Sequence, residues 1–162
     1  MIENDQRVRR AVPVDPEEWK KVDKENAQEI EQLILKYGFP SVQKIGRHDF
    51  TKNSADSKIL FLHAKKEARE RYILKLLLDS VKKGECEPEN FATVYDKYLI
   101  MKGFNNKVLY GEIRNPLGKL DQVVMNPKKL DSIRKSVGLE HIEYKRWKLK
   151  KLAGIDINEL NQ

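Results

Sequence analysis

The stretch that predicts a helical fold is residues 15–38, which read DPEEWKKVDKENAQEIEQLILKYG. Asp15 can cap the first turn, Pro16 suits the first helical position, and Gly38 is a typical helix end. The apolar residues between them recur at helical spacing: Trp19, Val22, Ile30, Leu33, Ile34 and Tyr37. We therefore predict one long amphipathic helix whose apolar stripe faces a core.

Two polar side chains interrupt this stripe. Asp23 and Asn26 fill the gap between Val22 and Ile30 and, being one helical turn apart, point the same way. A buried carboxylate needs a hydrogen-bond donor, and an asparagine offers both donors and an acceptor. The pair can orient a polar ligand or a histidine, or it can fix the backbone of an adjacent loop. The spacing by itself favours the loop.

Helical patterns bounded by proline or glycine recur along the chain and predict further helices over about 51–64, 66–83, 87–103, 126–137 and 140–153. Two short extended segments around a turn sequence predict a small β-hairpin or irregular insertion near residues 108–125. The fold class we predict is mainly α, a single-domain bundle of about six helices. Its parts are an N-terminal arm over 1–14, a helical domain over 15–154 and a tail over 155–162.

The composition is that of a densely charged globular protein. Apolar residues make up 40% and charged residues 35% of the 162 residues, which excludes disorder on compositional grounds. Cys86 is the single cysteine, so an internal disulfide is excluded, and its neighbours Glu85 and Glu87 disfavour a reactive thiolate. His48 and His141 have no histidine partner at helical spacing, so we expect no metal and no other cofactor.

Membrane and export signals are lacking in the pattern. No window approaches the ~18 consecutive apolar residues of a membrane span. The first residues, MIEND, are acidic and lack the apolar segment of a signal peptide. We therefore expect a cytoplasmic protein that does not enter a membrane.

His63 is the candidate catalytic residue. It ends the apolar run from Ile59 and stands next to polar chain, and imidazole ordinarily exchanges a proton near neutral pH. The alternative, which position alone favours, is a structural histidine bound to a backbone carbonyl. No Ser/His/Asp order and no phosphate-binding glycine loop accompanies it, so enzymatic activity is left open.

The second candidate site is a basic segment near the C-terminus. Residues 144–152 read YKRWKLKKL and carry five cations: Lys145, Arg146, Lys148, Lys150 and Lys151. Cations with aromatic residues among them can bind a phosphate backbone. The alternative, which we favour, is an amphipathic helix whose cations face solvent and whose Trp147, Leu149 and Leu152 pack inward. On that interpretation the protein does not retard nucleic acid, although the net charge of +7 favours an anionic partner.

Several short motifs occur in a fixed order: Asp5-Gln6 with Arg9, Asp23 with Asn26, Gly38-Phe39-Pro40, His63-Ala64, Tyr110-Gly111, and Arg134 before Gly138-Leu139. Over roughly residues 5–145 they resemble an uncharacterised bacterial domain family with Asp-Gln-x-x-Arg, Asp-x-x-Asn, Gly-Trp-Pro, His-Ala-Asp and Tyr-Gly-Thr-Gln motifs. The chain departs from that pattern with Phe39 for Trp, Lys65 for Asp and Glu112-Ile113 for Thr-Gln. The resemblance implies a convergent site without an established reaction.

We therefore predict a polar pocket around His63 that binds or acts on a small polar ligand. The ligand-binding candidates are Asp23, Asn26, Tyr110, Arg9 and Arg134. The alternative is a basic interaction module that binds an acidic protein or, less favoured, nucleic acid through helix 140–153.

Overall fold

The computed structural model describes residues 1–13, 15–40, 58–64, 68, 72–104, 107–112 and 123–153, apart from the side chains of 2 and 153. The chain forms two compact units, Met1–Cys86 and Glu87–Gln162. Each unit has its own helices and its own buried side chains. The single domain expected over 15–154 stays a prediction, and the expected tail lies outside the described residues.

The first unit is helical. Its elements are α1 (Ile2–Arg10), α2 (Pro16–Tyr37), α3 (Lys58–His63) and α4 (Leu74–Lys82). Helix α1 packs against α2, and α3 contacts both of them. The buried apolar side chains include Val8, Val22, Ile30, Ile34, Phe39, Leu60, Phe61, Ile73 and Leu77. Residues 2–10, which we expected in an arm, thus form a helix, because Val8 gives that helix an apolar contact with its neighbours.

Helix α2 begins and ends where the sequence predicts. The Asp15 carboxylate accepts hydrogen bonds from the backbone N–H groups of Glu17 at 2.9 Å and Glu18 at 3.2 Å. At the other end, Gly38 has φ 77° and donates its N–H to the carbonyl of Ile34 at 2.8 Å. Such a positive φ favours glycine, so both ends of α2 depend on the residue type that the sequence supplies.

Replacing Asp15 with alanine should destabilise the protein by about 1 kcal/mol, because two N–H groups at the start of α2 lose their acceptor. The measurement is urea unfolding followed by circular dichroism. Glu17→Ala is the matched control, since it removes an exposed carboxylate from the same turn without removing the cap. An equal loss in both variants would contradict a capping role.

The apolar stripe of α2 is only partly covered. Val22, Ile30 and Ile34 are buried, whereas Leu33 and Tyr37 are exposed, so the prediction that these two face the core is wrong. Periodicity specifies which side of a helix is apolar. It does not specify how far along the helix a neighbouring element covers that side.

The second unit is also mainly helical. Its elements are α5 (Pro88–Met101), β1 (Lys107–Val108), β2 (Val123–Val124), a 3-10 turn (Pro127–Lys129), α6 (Leu130–Ser136) and α7 (Ile142–Ala153). Helix α5 contacts β1, and α6 contacts α7. An aromatic cluster of Phe91, Tyr95, Tyr98 and Tyr110 packs around α5. The mainly α fold class is confirmed, and in the described residues no helix has the length and apolar character needed to cross a bilayer.

The small β insertion is present, but its strands do not form a hairpin. Strands β1 and β2 pair in parallel, with Lys107 opposite Val123 and Val108 opposite Val124. A tight turn can join only antiparallel neighbours, whereas parallel strands need a connection of about a dozen residues or more. The stretch 109–122 is long enough for that connection. The turn predicted within it, at 115–118, lies outside the described residues.

Candidate functional site

The side chain of His63 is paired with Asp5. Nδ1 of His63, at the end of α3, lies 2.9 and 3.0 Å from the two carboxylate oxygens of Asp5 in α1. Asp5 is fully buried, whereas the His63 side chain is 26% exposed. An ionised carboxylate only accepts hydrogen bonds, so Nδ1 is the protonated nitrogen. In the neutral imidazole, Nε2 is then the acceptor.

Asp5 is also held from its own helix and, through Arg9, connected to α2. Nη1 of Arg9 lies 2.9 Å from the Asp5 carboxylate, and Nη2 of the same guanidinium donates to Asp23 at 2.7 Å. Gln6 donates its side-chain N–H to Asp5 at 2.8 Å. The Arg9 guanidinium lies over the ring of Trp19, 5.4 Å from its centre. We call His63, Asp5, Arg9 and Asp23, which three helices bring together, the His63 cluster.

The charge of the His63 cluster is unbalanced. Two carboxylates face one guanidinium, so the cluster has a net charge of −1 when the imidazole is neutral and zero when it is protonated. A buried carboxylate is costly unless charged and polar donors surround it, and Arg9, Gln6 and His63 are those donors for Asp5. A ligand that brings a hydrogen-bond donor or a positive charge complements this arrangement.

Asn26 lies one turn after Asp23 on α2 and is buried. Its side-chain nitrogen has no hydrogen-bond partner in the part of the chain that the structure describes. A buried amide N–H without an acceptor costs roughly 1–3 kcal/mol, so such groups usually have a partner. The sequence correctly placed a polar group on the apolar face of α2. It did not indicate that the partner of Asp23 is Arg9 and not Asn26.

The structure brings three of the predicted residues together through one that we missed. The predicted pocket joined His63 with Asp23 and Asn26; in the structure the side chain of His63 pairs with Asp5, and Arg9 connects Asp5 to Asp23. Asp5 lies within residues 1–14, which we predicted to be an arm. The signal that reveals it is its spacing from Val8 and Arg9 at i+3 and i+4, which predicts a helix with Asp5 at its apolar edge.

Tyr110 and Arg134, the other ligand-binding candidates, belong to the second unit. Tyr110 is buried and packs edge-on against Phe91, 5.8 Å between ring centres, and Tyr95, 5.5 Å. Burial raises the pKa of its hydroxyl to about 12. That Tyr110 and Arg134 bind a ligand stays a prediction.

Arg134 is fully buried, and its guanidinium donates hydrogen bonds to two backbone carbonyls and one carboxylate. It donates to the carbonyls of Glu140 at 2.8 Å and Tyr110 at 2.6 Å, and to the carboxylate of Glu112 at 2.7 Å. Glu112 also pairs with Lys145 of α7. Glu112 therefore joins two cations in a buried ion network. Lys145, one of the predicted anion-binding residues, is therefore paired with Glu112 within the unit.

Asp96 is a second buried carboxylate that the sequence analysis did not single out. On α5, it accepts hydrogen bonds from the N–H groups of Leu109 at 2.8 Å, Tyr110 at 3.0 Å and Glu112 at 2.8 Å. Burial raises the pKa of this carboxyl, and the three N–H groups oppose that shift. The available signal was an aspartate within the apolar stretch FATVYDKYLI. Asp96 fixes the segment after β1.

On α7, the prediction that Trp147 and Leu152 pack inward is wrong, whereas Leu149 is half-buried. Trp147 and Leu152 are both exposed. Among the predicted anion-binding residues, Arg146 pairs with Glu143 at 2.6 Å and Lys148 with Glu140 at 2.6 Å. The hydrogen bond to Glu140 raises the pKa of the Lys148 ammonium. The helix therefore presents aromatic residues to solvent beside partly neutralised cations.

A groove and a second histidine–aspartate pair lie in the second unit. The groove, of about 390 Å³, is lined by Asp131, Ser132, Lys135, Leu139 and His141, none of which was a predicted site residue. Nε2 of His141 lies 2.9 Å from the Asp131 carboxylate. The described residues contain no cluster of three or more His, Cys, Asp or Glu side chains arranged for a metal ion.

Comparisons with protein-family models, with curated proteins and with solved structures gave no match. The resemblance to a bacterial domain family therefore stays a prediction based on the order of short motifs.

Proposed function

We propose that the first unit binds a small polar ligand at the His63 cluster, and that Nε2 of His63 is the acceptor that contacts it. The observation that carries the proposal is the double contact of Nδ1 with both oxygens of fully buried Asp5, while the imidazole is 26% exposed. A carboxylate behind a histidine fixes its tautomer and its orientation. A histidine held in this way is suited to accept a hydrogen bond or a proton.

The charge and the open acceptors of the cluster favour a particular class of ligand. Asp23 uses one carboxylate oxygen for Arg9, and in the described part of the chain no partner is recorded for the other. Together with Nε2 of His63, this gives the cluster two acceptors, and its two carboxylates outnumber its one guanidinium. The complementary ligand carries hydroxyl, amide or amine donors and is neutral or positively charged.

The cluster also accounts for how a proton taken up at Nε2 is held. The imidazolium that forms is adjacent to the Asp5 carboxylate, which can stabilise its charge without itself becoming protonated. Arg9 and Gln6 keep Asp5 in place while this happens. In this proposal Asp5 and Arg9 are positioning residues, and His63 is the residue that touches the ligand.

His63→Gln should weaken ligand binding by roughly 10-fold or more, because a hydrogen bond to a charged or strongly polar group is lost. The measurement is ligand-observed NMR on the full chain with a panel of small amines, polyols and carboxylic acids. We expect amines and polyols to bind and carboxylic acids not to bind. His141→Gln is the matched control, since His141 also lies 2.9 Å from an aspartate but belongs to the second unit.

Two further measurements separate ligand binding from a structural role. In ¹⁵N NMR at high pH, His63 should show a protonated Nδ1 and an unprotonated Nε2. Thermal melts of His63→Gln and Asn26→Ala should be close to that of the wild type. Losses of about 1–3 kcal/mol in both, with no member of the panel bound, would contradict the proposal and assign these residues to the core.

A further inference from the structure

Helix α7 exposes a pair of stacked aromatic rings. Tyr144 and Trp147 are 53% and 54% exposed, and their ring centres lie 5.6 Å apart with 17° between the planes. Stacking covers one side of each ring, Lys148 Nζ lies over the ring of Tyr144, and about half of each residue stays exposed. Exposed aromatic surface of this kind costs free energy in water and is a common feature of binding sites. Stability of the unit does not explain it.

Cations lie on the same side of the helix as these rings. Lys148 Nζ is 5.4 Å from the ring centre of Tyr144. Lys151 follows Trp147 at i+4, is exposed, and has no ion-pair partner recorded among the described residues. Residues three, four and seven apart share one side of a helix. We call Tyr144, Trp147, Lys148 and Lys151 the α7 face.

The ion pairs of α7 leave this face available to an anionic partner. Lys148 pairs with Glu140 and Arg146 with Glu143, both involving partly or largely exposed side chains. The side chain of Lys148 is 35% exposed, so a phosphate can reach its ammonium and compete with Glu140 for it. Lys145 differs, because its partner Glu112 is buried, and it is not part of the face.

We propose that the α7 face binds single-stranded nucleic acid, with bases stacking on Tyr144 and Trp147 and phosphates contacting Lys148 and Lys151. Flat rings bind unpaired bases, and lysines beside them follow the phosphate backbone. In a duplex the bases stack on each other and are not available to these rings. An acidic polypeptide would use the lysines but not the ring faces. The expectation of no binding rested on cations that face solvent, on a helix whose Trp147 packs inward, and Trp147 is exposed.

The test measures binding of a fluorescein-labelled oligodeoxythymidine of fifteen nucleotides by fluorescence anisotropy, using the full chain at low salt. Trp147→Ala should weaken binding by roughly 10-fold, and Trp147→Phe should retain most of it, because stacking needs an aromatic ring. Lys151→Gln should make the dependence of log K on log salt shallower by about 0.7, the value for one single-strand phosphate contact.

The matched controls are Tyr37→Ala and Lys36→Gln on α2. Tyr37 is 61% exposed, and Lys36 Nζ lies 5.0 Å from its ring centre, so this pair reproduces the chemistry of Tyr144 and Lys148 elsewhere on the chain. Both control variants should bind the oligonucleotide as tightly as the wild type does. Circular dichroism spectra matching the wild type establish that each variant is folded.

Three results would overturn the proposal. The first is the absence of a salt-sensitive anisotropy change at low salt. The second is competition by polyglutamate or by a duplex of equal length as effective as that by unlabelled single strand, which would indicate an acidic or non-specific polyanionic partner. The third is a loss in Tyr37→Ala as large as in Trp147→Ala, which would show that any exposed aromatic residue suffices.

Discussion

Replacing Asp96 with alanine is expected to destabilise the second unit by more than about 3 kcal/mol, because it leaves three backbone N–H groups without their acceptor. Asp96 is fully buried, and the N–H groups of Leu109, Tyr110 and Glu112 donate to it. Water cannot replace the carboxylate at a closed site without reorganising the segment after β1. Urea unfolding followed by circular dichroism measures the loss.

The control for Asp96 is Asp131→Ala in the same unit. Among the described residues Asp131 accepts one backbone hydrogen bond, from Ile142 at 2.8 Å, and its other partner is the largely exposed His141, so its loss should cost about 1 kcal/mol. Asp96→Asn should fall between the two alanine variants, because the amide oxygen can still accept while the amide nitrogen opposes a backbone N–H. Equal losses in Asp96→Ala and Asp131→Ala would show that Asp96 contributes no more to the free energy of unfolding than Asp131 does.

The titration of Asp96 gives this prediction a pH dependence. Burial raises the folded-state pKa of the carboxyl above its ordinary value of 3.8. The folded protein therefore binds this proton more tightly than the unfolded chain does. The contribution of this group to the free energy of unfolding then falls as the pH rises from 3.8 through the folded pKa. Asp96→Asn lacks this titration, so the stability difference between wild type and variant should decline across that window.

Arg134→Met should cost about 3–5 kcal/mol, the range for removing one partner of a buried ion pair. Arg134 is fully buried, and its loss leaves the carbonyls of Tyr110 and Glu140 and part of the Glu112 carboxylate without a donor. Lys145 still pairs with Glu112 and limits the damage. The measurement is again the free energy of unfolding in urea.

Arg146→Met is the matched control, because it removes the same charged group from a pair that is more exposed. Arg146 pairs with Glu143, whose side chain is largely exposed, and exposed pairs contribute ~0–1 kcal/mol. A loss from Arg146→Met as large as that from Arg134→Met would show that general charge, not burial, governs the network.

The helices could be predicted because their signals are local. The cap of α2 involves residues two and three positions apart, and its end requires a glycine with positive φ, so Asp15 and Gly38 alone suggest both bounds. The start of α5 at Pro88 is also a local signal, because proline suits the first helical position. Helix α1 was not predicted from the sequence. Its sequence is highly charged, and among its described side chains Val8 is the buried apolar one.

The candidate site could be predicted only in part. His63 and Asp23 were identifiable as polar residues on apolar helical faces. Their connection was not, because Asp5 is 58 positions before His63 and Arg9 is 14 positions before Asp23. Which carboxylate reaches which donor depends on how three helices pack. No spacing within a single helix contains that information.

The sequence by itself determined the mainly helical class, the bounds of α2 and the place of the β insertion, because capping, periodicity and turn chemistry act between residues a few positions apart. The tertiary structure decided the rest. It set the parallel direction of β1 and β2, the partner of His63, and the exposure of Trp147. Each of these depends on which surfaces pack together across long stretches of chain. That packing decides which side chains are buried and which form ion pairs.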